Sequence, residues 1–185
     1  MCDGMGGGPS GKAASSTATD VIIQTVRSGK LSDSPLTVLQ QAIKMANQAL
    51  ISEIQKKPAL RGMGTTVTAL LINEYSAIAA YVGDSRIYQF RRGHKKFRTF
   101  DHSMVFEMVR NGTINEEQAR LSEQSNMITK ALGANSDIEA DIVELPYEKG
   151  DRFMLCTDGI WGMFPERKLI DIAVSYTHLR AHETL

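Results

Sequence analysis

Residues 65–82 read Thr65-Thr66-Val67-Thr68-Ala69-Leu70-Leu71-Ile72, then Asn73-Glu74-Tyr75-Ser76, then Ala77-Ile78-Ala79-Ala80-Tyr81-Val82. Two apolar runs, separated by four turn-forming residues, predict an antiparallel hairpin. Gly83-Asp84 follows at once and ends the second run in a sharp turn. A second hairpin is predicted from 87–90 and 96–99, which flank Arg92-Gly93. Two further strands, 138–145 and 152–157, are joined through Pro146 and Glu148-Lys149-Gly150-Asp151.

Helical periodicity surrounds these strands. Ser10 or Gly11 opens a helix whose apolar positions, Ala14, Ala18, Val21, Ile22 and Val26, share one face. Ser34-Pro35 starts a second, a capping residue followed by a proline suited to the first turn. Its stripe is Leu36, Leu39, Ile43, Ala46, Leu50 and Ile54, closed by Lys57-Pro58. Residues 103–125 turn polar and helical, with Asn115-Glu116-Glu117 opening a short helix, and Pro165 opens another carrying Leu169, Ile170 and Ala173. Strand and helix do not alternate as in a doubly wound parallel sheet. Packed antiparallel sheets with helices outside are expected.

The 185 residues are 42% hydrophobic and 23% charged, which suits one globular domain. Lys plus Arg and Asp plus Glu both number 21, a balance that gives no support to nucleic-acid or anionic-membrane binding as the main task. Arg91, Arg92, His94, Lys95, Lys96 and Arg98 form a basic cluster, read as a solvated hairpin tip. No run approaches the ~18 apolar residues that span a bilayer. Cys2 and Cys156 make no disulfide framework. They are expected to be buried thiols in a reducing cytoplasm.

The chemistry concentrates in three aspartates beside glycines at chain reversals: Asp3 in Cys2-Asp3-Gly4, Asp84 in Gly83-Asp84-Ser85 and Asp158 in Thr157-Asp158-Gly159. Each ends an apolar or β-rich run, so its carboxylate projects from a sheet edge. Gathered carboxylates repel unless a cation neutralises them, and hard oxygen donors suit Mg²⁺ or Mn²⁺. A metal-dependent enzyme is expected. Gly6-Gly7-Gly8-Pro9-Ser10-Gly11-Lys12-Ala13 approximates a phosphate-cradling loop, but Ala13 replaces the hydroxyl that would hold Mg²⁺, so a glycine-rich turn into a helix is preferred. His178 and His182 are four apart, with Leu179 where a zinc protease would carry glutamate, and are read as noise. His102, in Asp101-His102-Ser103, differs from that pair; taken alone it reads as a capping or structural residue rather than a ligand. Met104, Met108, Met154 and Met163 are assigned to core packing.

The chain resembles the PPM-type, or type 2C, serine/threonine protein phosphatases in their bacterial form. The likeness rests on Asp3-Gly4-Met5-Gly6-Gly7, Gly64-Thr65-Thr66, Gly83-Asp84-Ser85-Arg86 with Tyr88, Asp101-His102-Ser103, Asn126 through Gly133, and Cys156-Thr157-Asp158-Gly159, in the family's order. It covers residues 1–174. The resemblance implies an α+β fold, a four-layer αββα sandwich of two antiparallel sheets flanked by helices, here incomplete at both ends. It implies two or three Mn²⁺ or Mg²⁺ ions, with Asp3 bridging two of them and the Gly4 carbonyl on the second. Asp158 would ligate the first, and Asp84 with Asp158 a weaker third. Residues 104–125 correspond to a flap that influences substrate access. The implied activity is hydrolysis of phosphoserine and phosphothreonine in proteins by a metal-bridging hydroxide, with Asp3 and Asp158 as catalytic residues. Implied partners are phosphorylated proteins, a serine/threonine kinase among them, with no nucleic acid and no membrane, in the cytoplasm.

Met5 stands where animal-type members carry a histidine, so no general acid is assigned there. The family's amino-terminal strand, with a phosphate-binding arginine and an acidic ligand, and its carboxy-terminal Asp-Asn lie outside this sequence. Residues 175–185 depart from the preceding periodicity and are read as a non-native tail. A truncated domain with weak metal binding and little turnover is therefore expected. The rival reading is a non-enzymatic pseudophosphatase that binds phosphoproteins, and a third is hydrolysis of small phosphorylated metabolites.

Overall fold

The computed structural model describes residues 1–29 and 34–180. The chain begins with β1 (Gly4–Met5), α1 (Gly8–Ser28) and α2 (Pro35–Lys56). The strands β2 (Gly64–Thr65), β3 (Val67–Ile72), β4 (Ala77–Val82), β5 (Arg86–Arg91) and β6 (His94–Arg98) follow. Next come α3 (Met104–Arg110), α4 (Glu116–Leu121), β7 (Asp141–Leu145), β8 (Arg152–Cys156), α5 (Asp158–Trp161) and α6 (Glu166–Arg180). One antiparallel sheet has the order β3-β4-β7, another β6-β5-β8, and β1 pairs with β2.

Three apolar clusters separate four layers, as the αββα expectation requires. Ala14, Ala18, Leu39, Ala42, Ile43, Ala46 and Leu50 pack with Val67, Ile78, Ala80 and Val82, which joins α1 and α2 to one sheet. Ala77, Ala79, Ile87 and Leu145 lie between the sheets. Tyr88, Phe90, Val105, Phe106, Trp161 and Leu169 join the second sheet to its helices. β4 serves two of these clusters because side chains alternate along a strand: 78, 80 and 82 meet the helices while 77 and 79 meet the other sheet. That is why its run is continuously apolar and buried throughout.

Several boundaries differ from the sequence-based expectation. α1 starts at Gly8, after Gly6, Gly7 and Gly8 take positive φ of 100°, 71° and 44°. The turn folds onto the helix so closely that a Cβ on Gly4 would stand 1.9 Å from the Gly11 carbonyl oxygen. The run 65–72 divides at Thr66, with Thr65 in β2 facing β1 and 67–72 in β3 facing β4. β7 begins at Asp141 rather than 138, where pairing with Tyr81 begins. β7 and β8 belong to different sheets. The crossing between them is held by Gln89, whose side-chain amide donates to the Pro146 carbonyl and to Asp151.

Met104 and Met163 are exposed rather than core residues. α3 directs Val105 and Phe106 inward instead, and Met163 lies in the turn after α5. Arg92, His94, Lys95 and Lys96 at the basic hairpin are exposed, as a solvated tip requires, and several of its charges are also paired. Arg91 pairs with Glu148 and Asp151, Lys95 with Glu166, and Arg98 with Glu116 and Glu166. Of the two thiols, Cys156 is buried and Cys2 half-buried. α6 runs to Arg180, past Val174, while His182 lies outside the described residues. No helix among the described residues is long and apolar enough to cross a membrane.

Candidate metal centre

Asp3 precedes β1, Asp84 sits in the turn from β4 to β5, and Asp158 opens α5 directly after β8. Each carboxylate is thus delivered from the end of a strand, and the two sheets bring these ends to one side of the molecule. Asp3 meets the side chains of Thr157 and Asp158, and its carboxyl is raised by burial and by Asp158. Asp84 is pushed up to about 7, first by burial and then by Asp158, Asp101 and Asp3. The three carboxylates therefore share one electrostatic field, with Asp158 coupled to both others. Crowding of this kind disfavours ionisation until a cation offsets the repulsion.

Among the described residues, no group of three Asp, Glu, His or Cys side chains is placed to hold an ion by itself. A cation here would complete its shell with backbone oxygen and water, which suits Mg²⁺ and Mn²⁺. Carboxylate oxygens are donors of the kind such an ion takes. The Gly4 carbonyl packs against α1, its oxygen 2.8 Å from where a Cβ on Gly11 would stand.

The backbone at Asp3 is held by the paired threonines. Thr66 N–H donates to the Asp3 carbonyl at 2.9 Å, Thr65 Oγ1 donates to the same oxygen at 2.8 Å, and Asp3 N–H donates to Thr66 Oγ1 at 3.1 Å. Thr66 Oγ1 also lies 2.8 Å from Ser85 Oγ, so one hydroxyl ties the Asp3 segment to the Asp84 turn. Gly83 takes φ 101°, and a Cβ there would fall 2.6 Å from Thr66 Cγ2. Glycine alone fits this approach.

Beneath Asp84 lies a buried ion pair that sequence reasoning left without a role. Arg86 donates through Nε and Nη2 to Asp101 at 2.8 and 2.6 Å. Its guanidinium stacks 3.8 Å from the Trp161 ring centroid, and Trp161 Nε1 donates to the Asp84 carbonyl at 2.9 Å. A fixed fork suits both contacts, which is why arginine serves here and lysine would not. The sequence signal was an arginine opening an otherwise apolar strand.

On the other flank, His102 Nδ1 accepts from Gly83 N–H at 3.0 Å, and His102 N–H donates to the Gly83 carbonyl at 3.0 Å. Burial holds the imidazole below its ordinary value against the pull of Asp141. The ends of the 104–125 segment lie together, with Ser103 bridged to Ile128 and Met104 N–H donating to the Met127 carbonyl.

A family model described as protein phosphatase 2C matches residues 1–184. This chain belongs to the protein phosphatase 2C family. The family comprises serine/threonine protein phosphatases, hydrolases of phosphate monoesters. The serine/threonine phosphatase Stp of Listeria innocua is 32% identical over 178 residues, 95% of this chain and 71% of that protein. The serine/threonine phosphatase PstP/Ppp of Mycobacterium tuberculosis superposes with a TM-score of 0.84 at 29% identity, covering 92% of this chain and 72% of that one. The catalytic domain of PstP solved in complex with two manganese ions gives a TM-score of 0.80 at 29% identity, covering 92% and 70%. The phosphatase 2C sandwich thus accounts for the layering.

Proposed function

We propose that this chain is a metal-dependent phosphatase acting on phosphoserine and phosphothreonine in proteins. The observation that carries it is the crowding of Asp3, Asp84 and Asp158, whose repulsion a divalent cation relieves. Asp3 and Asp158, with the Gly4 carbonyl through water, would hold Mn²⁺ or Mg²⁺, and Asp84 with Asp158 a further ion. Such ions supply activated water for in-line attack on phosphorus and offset charge on the phosphoryl oxygens. The protein's part is to fix the carboxylates: Thr65 and Thr66 hold Asp3, while Arg86, Trp161 and His102 hold the Asp84 turn. The 104–125 segment, tied at both ends, would act as a flap that influences access of the phosphoprotein. A serine/threonine kinase would generate the substrates. Free thiols at Cys2 and Cys156 support a reducing, cytoplasmic setting.

The absence of any three-donor cluster among the described residues supports weak metal binding and low turnover by this 185-residue chain. The same observation favours one rival, a phosphoprotein-binding module without catalysis. Hydrolysis of a phosphothreonine peptide, measured by phosphate release with and without Mn²⁺, separates them. Mn²⁺-dependent release that Asp158→Asn abolishes supports the enzyme. Binding of the peptide with no release at any Mn²⁺ concentration overturns it. Hydrolysis of p-nitrophenyl phosphate as vigorous as that of full-length relatives would contradict the weak-turnover reading alone.

A further inference from the structure

His102 touches neither Asp3 nor Asp158 in any hydrogen bond, yet it holds Gly83, the residue before Asp84, at both its N–H and its carbonyl. Its Nδ1 accepts from Gly83 N–H and its own N–H donates to the Gly83 carbonyl, both at 3.0 Å. Because Nδ1 accepts, the neutral ring carries its proton on Nε2. That buried atom has no hydrogen-bond partner and stands 3.4 Å from Asp141 Oδ1, beyond a good hydrogen bond. Asp141 is held in turn by Lys130 Nζ at 3.2 Å. It is also the cross-strand partner of Tyr81, whose ring stacks on His102 with centroids 5.3 Å apart. A second main-chain tie, from Thr129 N–H to the His102 carbonyl at 2.8 Å, adds to the frame.

We propose that His102 is a positioning residue for Asp84, setting the direction of its carboxylate through Gly83, with the negative charge of Asp141 facing the Nε2–H of the tautomer that leaves Nδ1 free to accept. The idea rests on the functional reading above, since it concerns how one of its metal-binding carboxylates is aimed. Asp84 is flanked by a turn glycine whose φ of 101° leaves the peptide free to rotate unless something holds it. Three side-chain contacts do so: His102 on the Gly83 amide, Ser85 with Thr66, and Trp161 on the Asp84 carbonyl. Of these three, His102 alone bonds Gly83 itself, and its side-chain hold depends on the state of one nitrogen. Lys130 and Asp141 thereby acquire a role in the metal centre without approaching it.

The test compares His102→Asn with His102→Gln in the 185-residue chain. The asparagine Oδ1 occupies the place of Nδ1 and can still accept from Gly83, whereas the glutamine acceptor stands near Nε2. In the metal-free protein, the carboxyl ¹³C resonance of Asp84, assigned through Asp84→Asn, is read by NMR together with the Gly83 amide proton. His102→Gln is expected to move both, and His102→Asn to leave both near their parent positions. Mn²⁺ titration by calorimetry should show binding weakened about 10-fold by His102→Gln, the loss of roughly one hydrogen bond, and rescued to within about 3-fold by His102→Asn. Equal effects of the two substitutions, in folded proteins, would overturn the proposal, as would an unmoved Asp84 resonance in His102→Gln. If the parent chain binds no Mn²⁺, the metal-centre reading fails, while the NMR comparison still decides whether His102 aims Asp84.

Discussion

Replacing Asp84 with asparagine should make the metal-free protein more stable at alkaline pH, although it removes a residue of the metal centre. The Asp84 carboxyl is pushed from its ordinary 3.8 up to about 7, by burial first and then by Asp158, Asp101 and Asp3. It is 6% exposed, so solvent screens little of this. A folded-state value above the unfolded one means the native chain holds its proton longer. Stability contributed by the protonated group is complete below about 4, declines as pH rises, and is gone above about 7. At about 1.4 kcal/mol per pH unit, ionising Asp84 in the fold costs on the order of 4 kcal/mol. An asparagine side chain carries no such cost and has nearly the same shape. Urea unfolding of parent and Asp84→Asn in the presence of chelator, followed by circular dichroism, should therefore give a stability gap that widens by roughly 3 kcal/mol from about pH 4.5 to about pH 8 in favour of the variant. Saturating Mn²⁺ at the alkaline end of that range should stabilise the parent more than the variant and narrow that gap. A gap independent of pH, or a variant less stable than the parent at the alkaline end, would refute the crowding on which the metal centre is built.

Further outcomes follow from the supporting contacts. Arg86→Met leaves Asp101 charged and buried without its partner, and should cost about 3–5 kcal/mol in chemical unfolding. Thr66→Val keeps the volume but removes the hydroxyl shared by Asp3 N–H and Ser85. A loss of about 1–3 kcal/mol in unfolding is expected, together with weaker Mn²⁺ binding by calorimetry.

Much of the architecture was legible because it is written in short-range patterns. The continuously apolar run of Ala77–Val82 reads as a buried strand, and the stripe from Leu39 to Leu50 names its own buried face. Boundaries were less legible where a residue changes partner rather than conformation. Thr66 reads as more of the same strand, yet its N–H turns aside to the Asp3 carbonyl. Likewise 138–140 are apolar enough for a strand but find none to pair with until Asp141 meets Tyr81. Met104 and Met163 look like core residues by type, and only the packing of Val105, Phe106 and Trp161 leaves them outside.

The site divides in the same way. Asp3, Asp84 and Asp158 can be assigned to glycine-bearing turns from the linear chain, because glycine's backbone freedom and the ends of apolar runs are local properties. It took the folded arrangement to couple Asp158 to both others, to commit Arg86 to Asp101, and to set His102 on Gly83. Those contacts join residues far apart in the chain through the stacking of two sheets. The energy of a buried charge or an unpaired ring nitrogen depends on what the rest of the fold brings within a few ångströms.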